Sequence, residues 1–145
     1  MSKVEDFLTD QEEEEVVAAI RRAELKTSGE IRVHLERHYE GDIWDRALEV
    51  FHLLKMDNTK ENNGVLIYVA IDDHKFIIYG GSGINAVVPE GFWESTKDAI
   101  AAQFRKGNFK QGLVDGILRA GKELQEHFPW DAGDINELPD EISKK

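Results

Sequence analysis

Residues 57–64, DNTKENNG, carry a side-chain oxygen at most positions. Asp57, Thr59, Glu61 and Asn63 alternate, and Asn58 adds a further amide. Alternate spacing lets a curled loop aim successive oxygens at one centre, as calcium loops do. Hard divalent cations take carboxylate, amide and carbonyl oxygens and no sulfur. Calcium is expected ahead of magnesium or another divalent cation, because a flexible, amide-rich set suits the larger coordination shell. The stretch lacks the repeated Asp or Asn positions and the distal glutamate of an EF-hand. The competing reading is a solvated connection, since Asn and Asp recur in turns for local hydrogen-bonding reasons.

A second segment, GGSGIN at 80–85, bears on the same chemistry. If the apolar runs 65–71 and 75–79 pair as a hairpin, the end of the second meets the start of the first. The glycine segment then lies beside residues 57–63, and the backbone oxygen of Gly81 can join the carboxylates. A strand at Gly29 running parallel to 65–71 brings Glu30 to that end, and the helix after the glycine segment brings Glu90. The simpler readings are an exposed strand residue for Glu30 and a helix N-terminal charge for Glu90.

Other chemistry is poorly supported. GGSGIN lacks the G-x-G-x-x-G spacing of a dinucleotide fingerprint and precedes no phosphate-binding lysine. The chain has no cysteine, which removes disulfides, thiolate metal sites and a cysteine nucleophile. No G-x-S-x-G occurs around Ser28, Ser82 or Ser95. His34 and His38 stand on a strand and its exit, and His52 and His127 are isolated in sequence, so no zinc set emerges. Asp72, Asp73 and His74 read as a hairpin tip. No catalytic residue is assigned.

The elements that must position these groups follow from periodicity. Thr9 and Glu12 form a capping box for a first helix ending near Lys26. GEIRVHLE, from Gly29, alternates strictly, which predicts a strand near a sheet edge with one wet face. Asp42 can cap a second helix with Ile43, Trp44, Ala47, Leu48, Phe51 and Leu54 on one stripe. The unbroken apolar run 65–71 predicts a central strand covered on both faces. Pro89 suits the first position of a third helix, Gly107 its left-handed cap, and Asn108 the start of a fourth. From residue 129 to 145 the chain becomes acidic and aperiodic, a tail that Trp130 could pin.

The order of elements predicts an α/β fold: an αβα sandwich with a small mixed central sheet flanked by about four helices. Acids outnumber bases 29 to 18, for a formal charge of -11. Nucleic acid and anionic membranes need clustered Lys and Arg, so neither is an expected partner. Divalent metal ions are the expected partners, with an unidentified protein partner as a further class. The acidic N-terminus is unlike a secretory signal, and no apolar run can span a bilayer, so a cytoplasmic location is expected.

Three blocks resemble the TPM domain family: SGEIRV at 28–33, NGVLIYVA at 63–70 and FIIYGGSGI at 76–84. FRKGNF at 104–109 and the glycine-spaced stretch 112–117 continue the likeness, which spans 5–128. The resemblance implies an αβα sandwich. It also implies binding of calcium or another divalent cation, as several members show, and an acid phosphatase activity proposed for members of the thylakoid lumen. Other members are membrane-anchored or secreted in bacteria. Without a leader or anchor, this chain is expected to be a stand-alone domain in which metal orders two crossing loops. The alternative is a metal-dependent acid phosphatase at the same site.

Overall fold

A computed structural model describes residues 6–59, 61–129 and 142–144, with only the backbone of Asn58. The chain opens with helix α1, Asp10–Glu24, and the capping box is in place. The Thr9 hydroxyl accepts from the Glu12 amide at 3.1 Å, and the Glu12 carboxylate accepts from the Thr9 amide at 3.0 Å. Strand β1, Glu30–Glu36, leads to helix α2, Ile43–Leu53, whose cap Asp42 accepts from the Trp44 amide at 2.8 Å. A 3-10 turn, Met56–Asn58, precedes strand β2, Gly64–Ala70, and a tight turn joins it to β3, Lys75–Gly80. Then come the one-turn helix α3, Ser82–Asn85, and the long helices α4, Phe92–Arg105, and α5, Phe109–His127. A two-residue strand β4, Ser143–Lys144, completes the described chain.

The sheet runs β3-β2-β1-β4. β1 is parallel to β2 and to β4, and β2 is antiparallel to β3, as a hairpin requires. The sheet is therefore mixed. Helices α1, α4 and α5 cover one face, over Ile31, Val33, Leu35, Val65, Ile67 and Val69. Helix α2 covers the other, with Ala47, Val50 and Phe51 packed on Leu66, Tyr68 and Ile77. Complete burial of β2 explains its unbroken apolar run. Each fully buried Val, Leu or Ile contributes about 1.5–3 kcal/mol of transfer free energy.

Three expectations are corrected. β1 is not an edge strand with a wet face: it lies between β2 and β4, and all seven residues are buried. Its apolar residues join the α1–α5 core. Its polar ones, Arg32, His34 and Glu36, lie level with Leu66, Tyr68 and Ala70 on the α2 side. Alternation sorts side chains by face, but whether a face meets water depends on what covers it. Second, helix α4 begins at Phe92, with Gly91 as its cap at φ 79°, so Pro89 and Glu90 precede the helix. Third, residues 82–85 form a helical turn and not an open loop. Of the acidic segment 129–145, residues 143–144 pair with β1 as a strand. Trp130 lies outside the described residues.

Candidate metal centre at the crossing loops

β2 and β3 bring the two suspected segments together. The Gly81 amide donates to the Gly64 carbonyl at 2.8 Å, and the Gly83 amide donates to Asn62 O at 2.8 Å. The approach is close enough to exclude a side chain. A Cβ at Gly81 would stand 2.5 Å from Asn62 O, and one at Gly83 would stand 2.0 Å from Glu61 O and 2.9 Å from Asn62 O. Two carbonyl oxygens thus converge on the glycine segment. Asn62 supports that turn in a left-handed conformation, φ 52°. Asn85 fastens the far side, donating to Gly80 O at 2.8 Å and accepting from Trp93 Nε1 at 2.8 Å.

β1 adds its first residue to this rim. Glu30 is level with Gly64, and its amide donates to Asn63 O at 3.4 Å. Glu30 and Asn63 are buried, at 2% and 1% exposure. The Asn63 amide nitrogen donates to Ser28 Oγ at 3.1 Å, which leaves its side-chain oxygen as an acceptor. Gly64 therefore stands between Glu30 of β1 on one side and Gly81, after β3, on the other, with Asn63 just before it.

The remaining sequence candidates sit differently. Asp57 is exposed, and its carboxylate holds His52 Nδ1 of α2 at 2.6 Å. Thr59 is buried and donates to Met56 O at 3.3 Å, folding the turn back on itself. Glu61 is exposed and contributes its carbonyl to the crossing. Glu90 is exposed ahead of α4, and no hydrogen bond joins it to either loop among the described residues. The donor set is oxygen throughout, which fits a hard cation.

Two constellations escaped the sequence reading. At the far end of β1, Glu36 accepts from Arg46 of α2, Nε to Oε2 3.0 Å and Nη2 to Oε1 2.5 Å, and from the Tyr68 hydroxyl at 2.5 Å. His34 Nε2 lies 3.5 Å from the same carboxylate, while its Nδ1 faces Ser143 Oγ at 2.9 Å. Arg46 also reaches Glu49 and stands over the Tyr39 ring. Burial pushes the Glu36 carboxyl up, but the hydrogen bonds from Arg46 and Tyr68 outweigh it and hold it at about 2. Burial and the adjacent Glu36 raise the Tyr68 hydroxyl, and the Glu36 bonds raise Arg46. The signal in sequence was the polar half of the β1 alternation, which reads equally as a solvated face.

The other constellation is on the last turns of α5, where Glu123, Glu126 and His127 place one ligand atom each within 4.8 Å of one another. His127 Nε2 and Glu123 Oε1 are 3.8 Å apart at i,i+4 spacing, neighbours on one helix face. At the hairpin tip, Asp72 pairs with Arg37 at 3.0 Å and Asp73 with His38 at 2.6 Å. The Tyr39 amide and then His38 lower the Asp73 carboxyl.

The TPM domain model matches residues 1–123. The chain belongs to the TPM domain family. This TPM domain is similar to the BA42 protein of the psychrophilic bacterium Bizionia argentinensis, solved by NMR, at 62% identity over 100% of both chains and a TM-score of 0.90. The N-terminal domain of a protein from P. gingivalis shares the fold, at 24% identity, covering 86% of this chain and 83% of that one, TM-score 0.70. So does the N-terminal domain of the cg2496 protein of Corynebacterium glutamicum, at 11% identity, 88% and 80% coverage, TM-score 0.66. No curated protein matches the chain. Among the described residues of this TPM domain, no helix is long and apolar enough to cross a membrane.

Proposed function

We propose that this TPM domain binds a divalent cation, calcium in preference to magnesium, at the rim where the two loops cross. The ion orders both loops and gives the domain a metal-responsive regulatory or interaction role. One observation carries the reading: the carbonyls of Glu61 and Asn62 converge on Gly83, at the rim of the sheet where Glu30 and Asn63 are buried near the start of β2. Glu30 and Asn63 supply side-chain oxygens, and the 61–64 turn supplies backbone ones. Asp57 joins only by releasing His52. Calcium tolerates such a mixed, irregular shell, whereas magnesium demands near-octahedral geometry.

The test is a calcium titration followed by calorimetry and amide NMR. Saturable shifts confined to residues 28–30, 57–64 and 80–85 are expected. Glu30→Gln is expected to weaken binding about tenfold or more, a loss of about 1.4 kcal/mol, while Glu90→Gln leaves it unchanged. No saturation at millimolar calcium would reject the reading.

The second reading is a metal-dependent acid phosphatase at the same rim, supported by the phosphatase designation of the matched family model. It requires an ion that keeps one coordination position open for water or substrate. Hydrolysis of p-nitrophenyl phosphate is measured from acid to neutral pH, with calcium, with magnesium and with chelator. Turnover that vanishes with chelator and in Glu30→Gln selects the enzyme; calcium binding without turnover selects the module.

A further inference from the structure

The end of the sheet opposite the crossing loops holds a cavity of about 660 Å³, within the range of small-molecule sites. It opens where β2 ends, at Val69, Ala70 and Ile71, beyond the carboxyl end of a strand in a parallel pair, where open α/β sheets commonly receive ligands. Three phenylalanines form its wall. Phe7 lies against Phe109 with centroids 4.5 Å apart, and Phe104 is 5.5 Å from Phe109 and 6.2 Å from Phe7. All three are only partly buried at the margin of the core, although rings of this size are favoured in a closed one.

The charges around the cavity run against those of the molecule. The chain carries a formal charge of -11, yet the cations Lys75 and Arg105 line this opening against one acid, Asp6. Lys75 and Arg105 are exposed, and neither lies within salt-bridge distance of an acid among the described residues, although Lys75 attracts the Asp73 carboxylate two residues away. The N-terminus of the 19-residue helix α5 lies at the same edge, since Gly107 and Phe109 line the cavity. That terminus has no side-chain cap: the Asn108 amide nitrogen turns back to Gln103 Oε1 at 3.2 Å, and the first turn contains no acid. Its unsatisfied amides and dipole add positive potential beside the cations.

We propose that this cavity binds a small organic anion with an apolar body, such as a medium-chain or aromatic carboxylate. The body lies against Phe7, Phe104 and Phe109, and the head faces Lys75, Arg105 and the start of α5. β2 alone, seven residues long, separates this site from the crossing loops by roughly 20 Å. The inference therefore does not depend on the metal reading, and the test is run in chelator.

Decanoate, decanol and decyltrimethylammonium are titrated below their micelle concentrations and followed by amide NMR. Decanoate is expected to saturate near or below ~1 mM, with shifts confined to residues 6–7, 69–75 and 104–110. The cationic analogue is expected to bind about tenfold more weakly or worse. Lys75→Gln combined with Arg105→Gln, both on the surface, is expected to lose about tenfold for decanoate and nothing for decanol. Failure of decanoate to saturate, equal binding of the cationic analogue, or undiminished decanoate binding in the double variant would each overturn the proposal.

Discussion

Glu36 shows how a few hydrogen bonds decide a residue's behaviour. It is 5% exposed, so burial alone would raise its carboxyl, yet Arg46 and Tyr68 hold it near 2 against an ordinary 4.5. A carboxylate depressed in the native state stabilises the fold above its unfolded value and loses that contribution as the pH falls towards the native one. The window here runs from about 4.5 down to about 2. The contribution at stake is about 3 kcal/mol. Denaturant melts across this interval are expected to show the loss in the wild type and a flatter profile in Glu36→Gln. The variant is also expected to be less stable at neutral pH by about 2–4 kcal/mol, because Arg46 stays buried with a weaker partner. An unchanged acid slope in the variant would contradict the assignment.

At the scale of elements, the crossing of two connections depends on backbone approaching backbone. Gly83→Ala places a methyl group 2.0 Å from Glu61 O, an atom that moves only if the 61–64 turn moves. The expected cost is about 1–3 kcal/mol, with amide shifts spreading through 61–64 and weakened calcium binding. Wild-type stability with wild-type calcium affinity would refute the close crossing. The same logic holds α5 against α1, where a Cβ on Gly121 would meet Ala23 Cβ at 2.5 Å. Most of these elements were legible in the sequence, because caps, apolar stripes and turn residues act locally: Thr9 with Glu12, Asp42, and Gly107 at φ 78° all do what their types suggest. The burial of the β1 polar face was not legible. It depends on Arg46, ten residues downstream, and on residues 143–144 from the far end of the chain.

At the scale of the whole molecule, the sheet separates a stable centre from adaptable ends. Val65, Ile67, Ile117 and Leu124 are fully or almost fully buried between β2 and α5. The crossing loops hang from that centre by a few backbone hydrogen bonds. On the proposed calcium reading, chelation is therefore expected to speed amide exchange in 57–64 and 80–85 and to leave β1, β2 and α5 protected, since loops open at lower free energy than core strands. Uniform acceleration across the molecule, or none in either loop, would count against an ion at the rim.

The sequence by itself determined the αβα order and the β2–β3 hairpin; the parallel pairing of β1 with β2 stood there only as a condition, which the structure meets. It also brought residues 57–64 and 80–85 to one rim, because a hairpin returns its end beside its beginning. Those features follow from interactions between near neighbours and from the handed geometry of short connections. Only the tertiary structure decided which oxygens at that rim converge: the carbonyls of Glu61 and Asn62 turn towards Gly83, while the Asp57 carboxylate goes to His52. Tertiary structure also closed the polar face of β1 and left three phenylalanines around an open cavity with a cationic edge. Side-chain direction and burial depend on groups distant in sequence, and no local pattern encodes which of those groups will arrive.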